Sequence, residues 1–155
     1  MEIERKFWLD TLPQNLPLVE HSLMEQSYLA LDPVVRIRKK TVGDRDTYRL
    51  CFKGEGTLVR QEIELDLTQQ TYEQLLTLVK GAPIHKEQWV FALPEGLQLE
   101  CNLVDQGTPH AFSYGEVEFA SVVQANAFVP PVCLGRELTE DTSFTMASYW
   151  RQTRG

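Results

Sequence analysis

The first six residues place Glu2, Glu4 and Lys6 at alternate positions, with Ile3 and Arg5 between them. Side chains on a β-strand alternate between faces, so these three charges share one face. The pattern returns along the chain. Arg36, Arg38 and Lys40 alternate around Ile37. Arg49 and Lys53 share a face with Cys51, against Tyr48, Leu50 and Phe52. Arg60, Glu62 and Glu64 alternate against Val59, Ile63 and Leu65. Glu100 and Asn102 flank Cys101, Glu116 and Glu118 flank Val117, and Lys86 begins another such strand. Clustered carboxylates suit a hard divalent cation such as Mg²⁺ or Mn²⁺, which takes oxygen ligands. Arg and Lys suit phosphate oxygens, Arg with a bidentate fork. Both sets in one cavity suit a metal-complexed polyphosphate.

On any one strand, a water-facing side of an antiparallel sheet explains the alternation. Together the strands say more. A solvated face normally mixes in Thr, Ser, Gln and Asn, whereas these positions are largely ionised and carry both signs. The acids Glu2, Glu4, Glu62, Glu64, Glu100, Glu116 and Glu118 nearly balance the bases Lys6, Arg36, Arg38, Lys40, Arg49, Lys53, Arg60 and Lys86. A sheet closed on itself would turn this face into a lumen and pack the apolar face outward against helices. Eight strands enclose an interior wide enough for side chains or one small ligand. Buried charges there must be paired or ligand-bound.

The elements that would position these residues are mostly strands. Alternation and β-branched residues predict strands over 1–9, 23–31, 34–42, 47–53, 58–67, 84–93, 97–104 and 114–120. Thr11 to Leu18 carries two prolines and reads as a loop. Tyr72, Leu75, Leu76 and Val79 have helical spacing, with Thr68 as N-cap and Gly81 as stop. Ser121 caps a short helix before Pro130, and a last helical turn or two covers 143–150. The expected fold is α+β, a single domain over residues 1–155.

Composition bounds the function. The net charge of −7 argues against non-specific nucleic-acid binding, while leaving room for a local basic pocket. Cys51, Cys101 and Cys133 show no metal or redox spacing and read as small buried hydrophobes. His21, His85 and His110 have no ligand spacing and read as structural or surface residues. Trp8, Trp89 and Trp150 read as outer-core residues. There is no apolar run behind the charged N-terminus and none near the ~20 residues that span a bilayer. The expectation is a cytoplasmic protein without a membrane or nucleic-acid partner.

Glu2-Ile3-Glu4-Arg5-Lys6 resembles the ExExK signature of the CYTH domain, or triphosphate tunnel metalloenzymes. The order of the later motifs carries the resemblance: Arg36-Ile37-Arg38, Phe52-Lys53-Gly54, Arg60-Gln61-Glu62-Ile63-Glu64, Lys86, Glu116-Val117-Glu118, and the tail from Gly135 to Asp141. It covers essentially the whole chain and is similar to the short bacterial members that hydrolyse inorganic triphosphate. The resemblance implies a closed eight-stranded antiparallel β-barrel with a charged tunnel and a few helices packed outside. It implies Mg²⁺ or Mn²⁺ on Glu2, Glu4, Glu116 and Glu118. Lys6, Arg36, Arg38, Lys53, Arg60 and Lys86 would grip a small-molecule triphosphate. Glu62 and Glu64 would orient those bases or help hold a second metal and, with Lys53, serve catalysis by a positioned water. A homodimer is compatible with this reading.

Two positions depart from the family pattern. Lys86-Glu87-Gln88 stands where the family has Lys-x-Arg, and Glu100-Cys101-Asn102 where it has Glu-x-Asp. One cation and one anion are replaced by amides. Two other readings therefore stand beside the hydrolase: a class IV-type adenylyl cyclase, and a weakened CYTH protein that binds polyphosphate or nucleotide.

Overall fold

The computed structural model describes residues 1–155. Ten strands and three α-helices follow in the order β1 (Glu2–Leu9), β2 (Leu18–Leu31), β3 (Val34–Val42), β4 (Arg45–Lys53), β5 (Val59–Arg60), β6 (Glu62–Leu67), α1 (Gln69–Leu76), β7 (Ile84–Ala92), β8 (Gln98–Val104), β9 (Phe112–Glu118), α2 (Val122–Ala127), β10 (Leu134–Glu137) and α3 (Met146–Arg154). Every pairing is antiparallel, and the sheet runs β10-β1-β9-β8-β7-β2-β3-β4-β6.

The sheet closes through β5. Glu2 pairs with Arg60 and Ile3 with Val59, and the Glu4 amide donates to the Leu58 carbonyl at 3.1 Å. Only Gln61 separates β5 from β6, so the two make one interrupted stave. The ten segments thus make nine strands in the main sheet rather than the eight expected, while the closed barrel stands. The tenth, β10, was not expected from the sequence. It takes over the edge of β1 further along, pairing Phe7 with Glu137.

The core lies outside the barrel. Phe7, Leu9, Leu99, Cys101, Val117 and Phe119 occupy the positions between the charged ones and are almost fully buried, together with Leu134 and Ala125 of α2. Arg5 also points to this side. Its guanidinium donates to the Ala125 and Phe128 carbonyls, both at 2.9 Å, and pairs with Glu137, which caps α2 and ties it to β1 and β10.

Several element bounds differ from expectation, and one helix sits elsewhere. Strand β2 starts at Leu18, immediately after Pro17, rather than at Leu23. Helix α1 begins at the expected Thr68 cap, whose hydroxyl accepts from the Thr71 amide, but ends at Leu76 rather than Gly81. Beyond it the Leu78 and Val79 amides reach back only three residues. Helix α3 is not an outside helix. It lies across one end of the barrel, where Met146, Tyr149 and Trp150 pack on Tyr28, Ile84, Val104 and Tyr114.

Candidate active site

All eight basic and seven acidic side chains of the alternating face line one cavity of about 420 Å³. The set includes every residue singled out for the site: Glu2, Glu4, Lys6, Arg36, Arg38, Lys53, Arg60, Glu62, Glu64, Lys86, Glu116 and Glu118. The reason is parity. Register holds even-numbered residues of β1 opposite even-numbered residues of β9, and Arg36 of β3 opposite Cys51 of β4. The inward face therefore continues around the barrel. Thr145, Met146 and Ala147 from the start of α3 complete the wall.

The cations fall into two groups. Lys53 Nζ lies 3.2 Å from Glu2 and 3.3 Å from Glu62. Lys40 pairs with Glu20 at 2.7 Å, and Arg49 pairs with Glu64 and with Asp66. By contrast Lys6, Arg36, Arg38, Arg60 and Lys86 make no ion pair. Arg38 donates to Gln26 Oε1 at 2.9 Å, Arg60 to the Gly54 carbonyl at 3.0 Å, and Lys86 to the Tyr114 hydroxyl at 3.1 Å. Lys6 reaches only the Phe144 carbonyl, at 3.4 Å. Arg36 is 7% exposed, yet its Nε has no partner. Burial, reinforced by the Arg38 charge, holds the Lys86 ammonium well below its ordinary pKa. A buried cluster of this sign is stabilised by an anion.

The carboxylates also divide. Oxygens of Glu2, Glu62 and Glu118 all lie within 4.8 Å of one another. Three hard oxygen donors at that spacing fit a hard divalent cation. Glu62 joins Glu2 and Glu118 because β5 brings its stave onto β1. Burial and the hydrogen bond with Glu2 push the Glu62 carboxyl up to about 7, against the pull of Lys53. Glu4 and Glu116 share a hydrogen bond. Burial, then Glu116, pushes Glu4 up. At Glu116 burial is outweighed by the Lys6 and Lys86 charges, which hold the carboxyl low. Burial and the Glu116 and Glu118 charges push Glu100 up to about 7.

The two departures from the family pattern touch each other. Gln88 Nε2 donates to Asn102 Oδ1 at 2.9 Å, and Asn102 Nδ2 donates to Glu116 Oε1 at 3.4 Å and to the Glu100 carbonyl at 3.3 Å. Both side chains are buried.

Two site residues escaped the sequence reading. Tyr114 lies under the Lys6 and Lys86 ammonium groups, 5.2 and 5.6 Å from its ring centre. Gln26 holds Arg38. Parity could have found both, since Tyr114 is in step with Glu116, and Gln26 with Tyr28. Cys51 is also not in an apolar setting. It is buried on the inward face with its sulfur near Glu62 and Glu64, while Cys101 packs in the outer core. None of the histidines lines the cavity. His21 stacks on Trp89 at 3.8 Å and bonds Glu87. Trp150 packs on Tyr28 at the barrel end rather than in the outer core.

The fold and site together define a closed β-barrel with a charge-balanced tunnel, and the similarities agree. No family model matches the chain. The chain is 33% identical over 144 residues to the inorganic triphosphatase of Nitrosomonas europaea, covering 92% of each protein. A crystal structure of an inorganic triphosphatase superposes with a TM-score of 0.65 at 29% identity, over 96% of this chain and 93% of that one. A Hippeastrum protein described as a candidate adenylyl cyclase that reveals a dominant triphosphatase activity shares the fold, with a TM-score of 0.63 at 15% identity, over 81% of this chain and 83% of that one. The chain belongs to the CYTH, or triphosphate tunnel metalloenzyme, family. No helix is long and apolar enough to cross a membrane.

Proposed function

We propose that this chain is a cytoplasmic, metal-dependent hydrolase of inorganic triphosphate, using Mg²⁺ or Mn²⁺. The observation that carries the reading is the pairing of opposites in one cavity. Five inward cations lack a carboxylate partner, beside three carboxylates gathered within 4.8 Å. A metal-complexed polyphosphate answers both.

Lys6, Arg36, Arg38, Arg60 and Lys86 bind the phosphate oxygens and neutralise charge as the bridging P–O bond breaks. Glu2, Glu62 and Glu118 hold the cation, with Glu4 and Glu116 beside them. The bound ion supplies charge neutralisation and lowers the pKa of water. Glu62, held in place by Lys53, orients the attacking water beside the ion. Glu64 is held by Arg49. Water attacks the terminal phosphorus, and phosphate and pyrophosphate leave. A cavity of about 420 Å³, covered at one end by α3, has room for a compact triphosphate anion.

The test is product analysis after incubation with triphosphate, ATP or thiamine triphosphate, with EDTA, Mg²⁺ or Mn²⁺. Metal-dependent phosphate release from triphosphate is expected. Metal-dependent binding without phosphate release would overturn the hydrolase reading in favour of a binding protein. Cyclic AMP and pyrophosphate from ATP would overturn it in favour of a cyclase.

A further inference from the structure

Strand β6 ends the sheet. It pairs with β4 along Glu62–Leu67, and its other edge has no partner strand. Such an edge presents a row of free backbone N–H and C=O groups to any strand that can lie beside it. The edge of β1, by contrast, is taken by β5 and β10. Along β6 four consecutive residues, Ile63 to Asp66, are exposed. Two of them are large and apolar, with Ile63 50% and Leu65 51% exposed.

Strand β4 shows what a neighbour of β6 has to offer. On the outer face Leu50 stands opposite Leu65, and Phe52 opposite Ile63. On the inner face Arg49 stands opposite Asp66 and Lys53 opposite Glu62, each an ion pair at 3.3 Å. Apolar pairs on one face and opposite charges on the other are what stabilise neighbouring strands. The faces of a strand are common to both its edges, so the free edge asks for the same alternation. The inner face of β6 carries carboxylates alone, Glu62, Glu64 and Asp66, and the Asp66 side chain is 88% exposed. A second copy of β6 is therefore the wrong partner. Any antiparallel register that sets Ile63 and Leu65 against apolar residues of the copy also sets carboxylate against carboxylate.

We infer that the free edge of β6 is a docking site for an extended segment of another protein in which basic and apolar residues alternate. The segment adds to the sheet through main-chain hydrogen bonds, which supply affinity without regard to sequence. Its apolar residues cover Ile63 and Leu65, and its Lys or Arg side chains meet Glu64 and Asp66. The period of two supplies the specificity, because a one-residue slip would turn the basic side chains onto the apolar face.

The probe is a synthetic peptide with the sequence of β4, Arg45–Lys53, carrying Cys51→Ser. It is added to ¹⁵N-labelled protein, and backbone amide shifts and exchange rates are followed. The shifts should centre on residues 62–67, and the edge amides of β6 should exchange more slowly as the peptide saturates. A peptide that also carries Arg49→Glu and Lys53→Glu should bind at least about tenfold more weakly, because two attractive cross-strand pairs become repulsive. In the protein, Leu65→Lys removes an apolar contact on the outer face. It should weaken the peptide while leaving triphosphate turnover unchanged. Ile63→Thr is the second variant should Leu65→Lys not fold. No shift along β6 at about 1 mM peptide, the weak end of measurable affinity, overturns the site. Shifts confined to the tunnel, or equal binding of the charge-reversed peptide, overturn it as well. Light scattering that finds the protein alone to be a dimer, and Leu65→Lys a monomer, would make a second copy the occupant and overturn the basic partner.

Discussion

Lys53 Nζ lies 3.2 Å from Glu2 Oε1, and that contact ties β4 to β1 across the seam where the barrel closes. The same ammonium is 3.3 Å from Glu62. It therefore neutralises two of the three carboxylates gathered near the seam. Burial and the Arg36 charge work against the ammonium, but the Glu2, Glu4 and Glu116 charges together outweigh them and raise its pKa.

Lys53→Met leaves Glu2 and Glu62 facing each other without that ammonium. In EDTA the variant should melt below wild type, because like charges now oppose closure of the seam. A divalent cation at Glu2, Glu62 and Glu118 would restore the neutralisation. The Mg²⁺-induced rise in Tm should therefore be larger in the variant than in wild type. Turnover should fall by about 10²–10³-fold, the usual loss when a group stabilising developing charge is removed. Thermal melts with and without Mg²⁺ check the first point. Equal Mg²⁺ shifts in both proteins would detach Lys53 from the metal cluster.

Lys86 gives the opposite balance. It is 4% exposed, has no carboxylate partner and lies near Arg38 and Arg36. Without an anion, the cost of burying that ammonium is offset only in part, by the Tyr114 hydroxyl and the Glu116 charge. Lys86→Met should keep or raise the Tm of the ligand-free protein. Affinity for triphosphate should drop about 10–100-fold, the loss of one charge-assisted hydrogen bond worth roughly 1.5–3 kcal/mol. Calorimetric titration of the two proteins reads the affinity. A lower ligand-free Tm in the variant would show that Lys86 serves folding rather than the anion.

A third relationship concerns α3. Asp105, 5% exposed, accepts from the Tyr149 hydroxyl at 2.5 Å, from Arg154 at 2.9 Å and from the His85 amide at 2.9 Å. Burial alone would raise its pKa, but the Arg154 and Tyr149 hydrogen bonds hold it below the usual value. The folded pKa is thus below the unfolded one. Its contribution to stability is complete above the unfolded value of about 3.9 and is lost as pH falls through the folded value. Asp105→Asn should be less stable than wild type at pH 7 by about 1.5–3 kcal/mol. The gap should shrink as pH drops below about 4, where the wild-type carboxyl also protonates. Urea unfolding from pH 3 to 7 measures it; a gap independent of pH would rule out the carboxylate as its source.

The sequence carried some of these relationships and not others, for a physical reason. Period-two alternation is local, so Glu2, Glu4 and Lys6 announce their shared face within one strand. That this face is inward depends on closure, which joins Glu2 to Arg60 and is invisible to any local window. The same closure moves Glu62 beside Glu2 and Glu118. Strand β10 was missed because Leu134–Glu137 is four residues long, contains Gly135 and comes after a proline-rich stretch. Its pairing comes from the open edge of β1, not from propensity. The Gln88–Asn102 contact needed the β7–β8 register, and the Asp105 cluster needed α3 to cover the barrel end.

The closure itself hangs on a loop that admits no side chain. Gly56 has φ of +128°, and a Cβ there would stand 2.0 Å from the Val59 carbonyl oxygen and 3.2 Å from Arg60 Cγ. The first is backbone and cannot swing away. Gly56→Ala must therefore move the chain that delivers Val59 and Arg60 to β1. In the backbone, two residue pairs and the bond from Glu4 to Leu58 hold that seam, beside the Lys53–Glu2 ion pair, so little backbone pairing resists the displacement. The variant should lose at least about 1–3 kcal/mol, the strain of a sparsely populated backbone conformation, with the clash added to it. Amide exchange should quicken first at Glu4, whose bond to Leu58 crosses the seam, while the outer-core amides of β8 stay protected. The Arg60 guanidinium would be withdrawn from the cavity, so KM for triphosphate should rise more than kcat falls. Unchanged exchange at Glu4 would mean that the seam does not depend on the Gly56 turn.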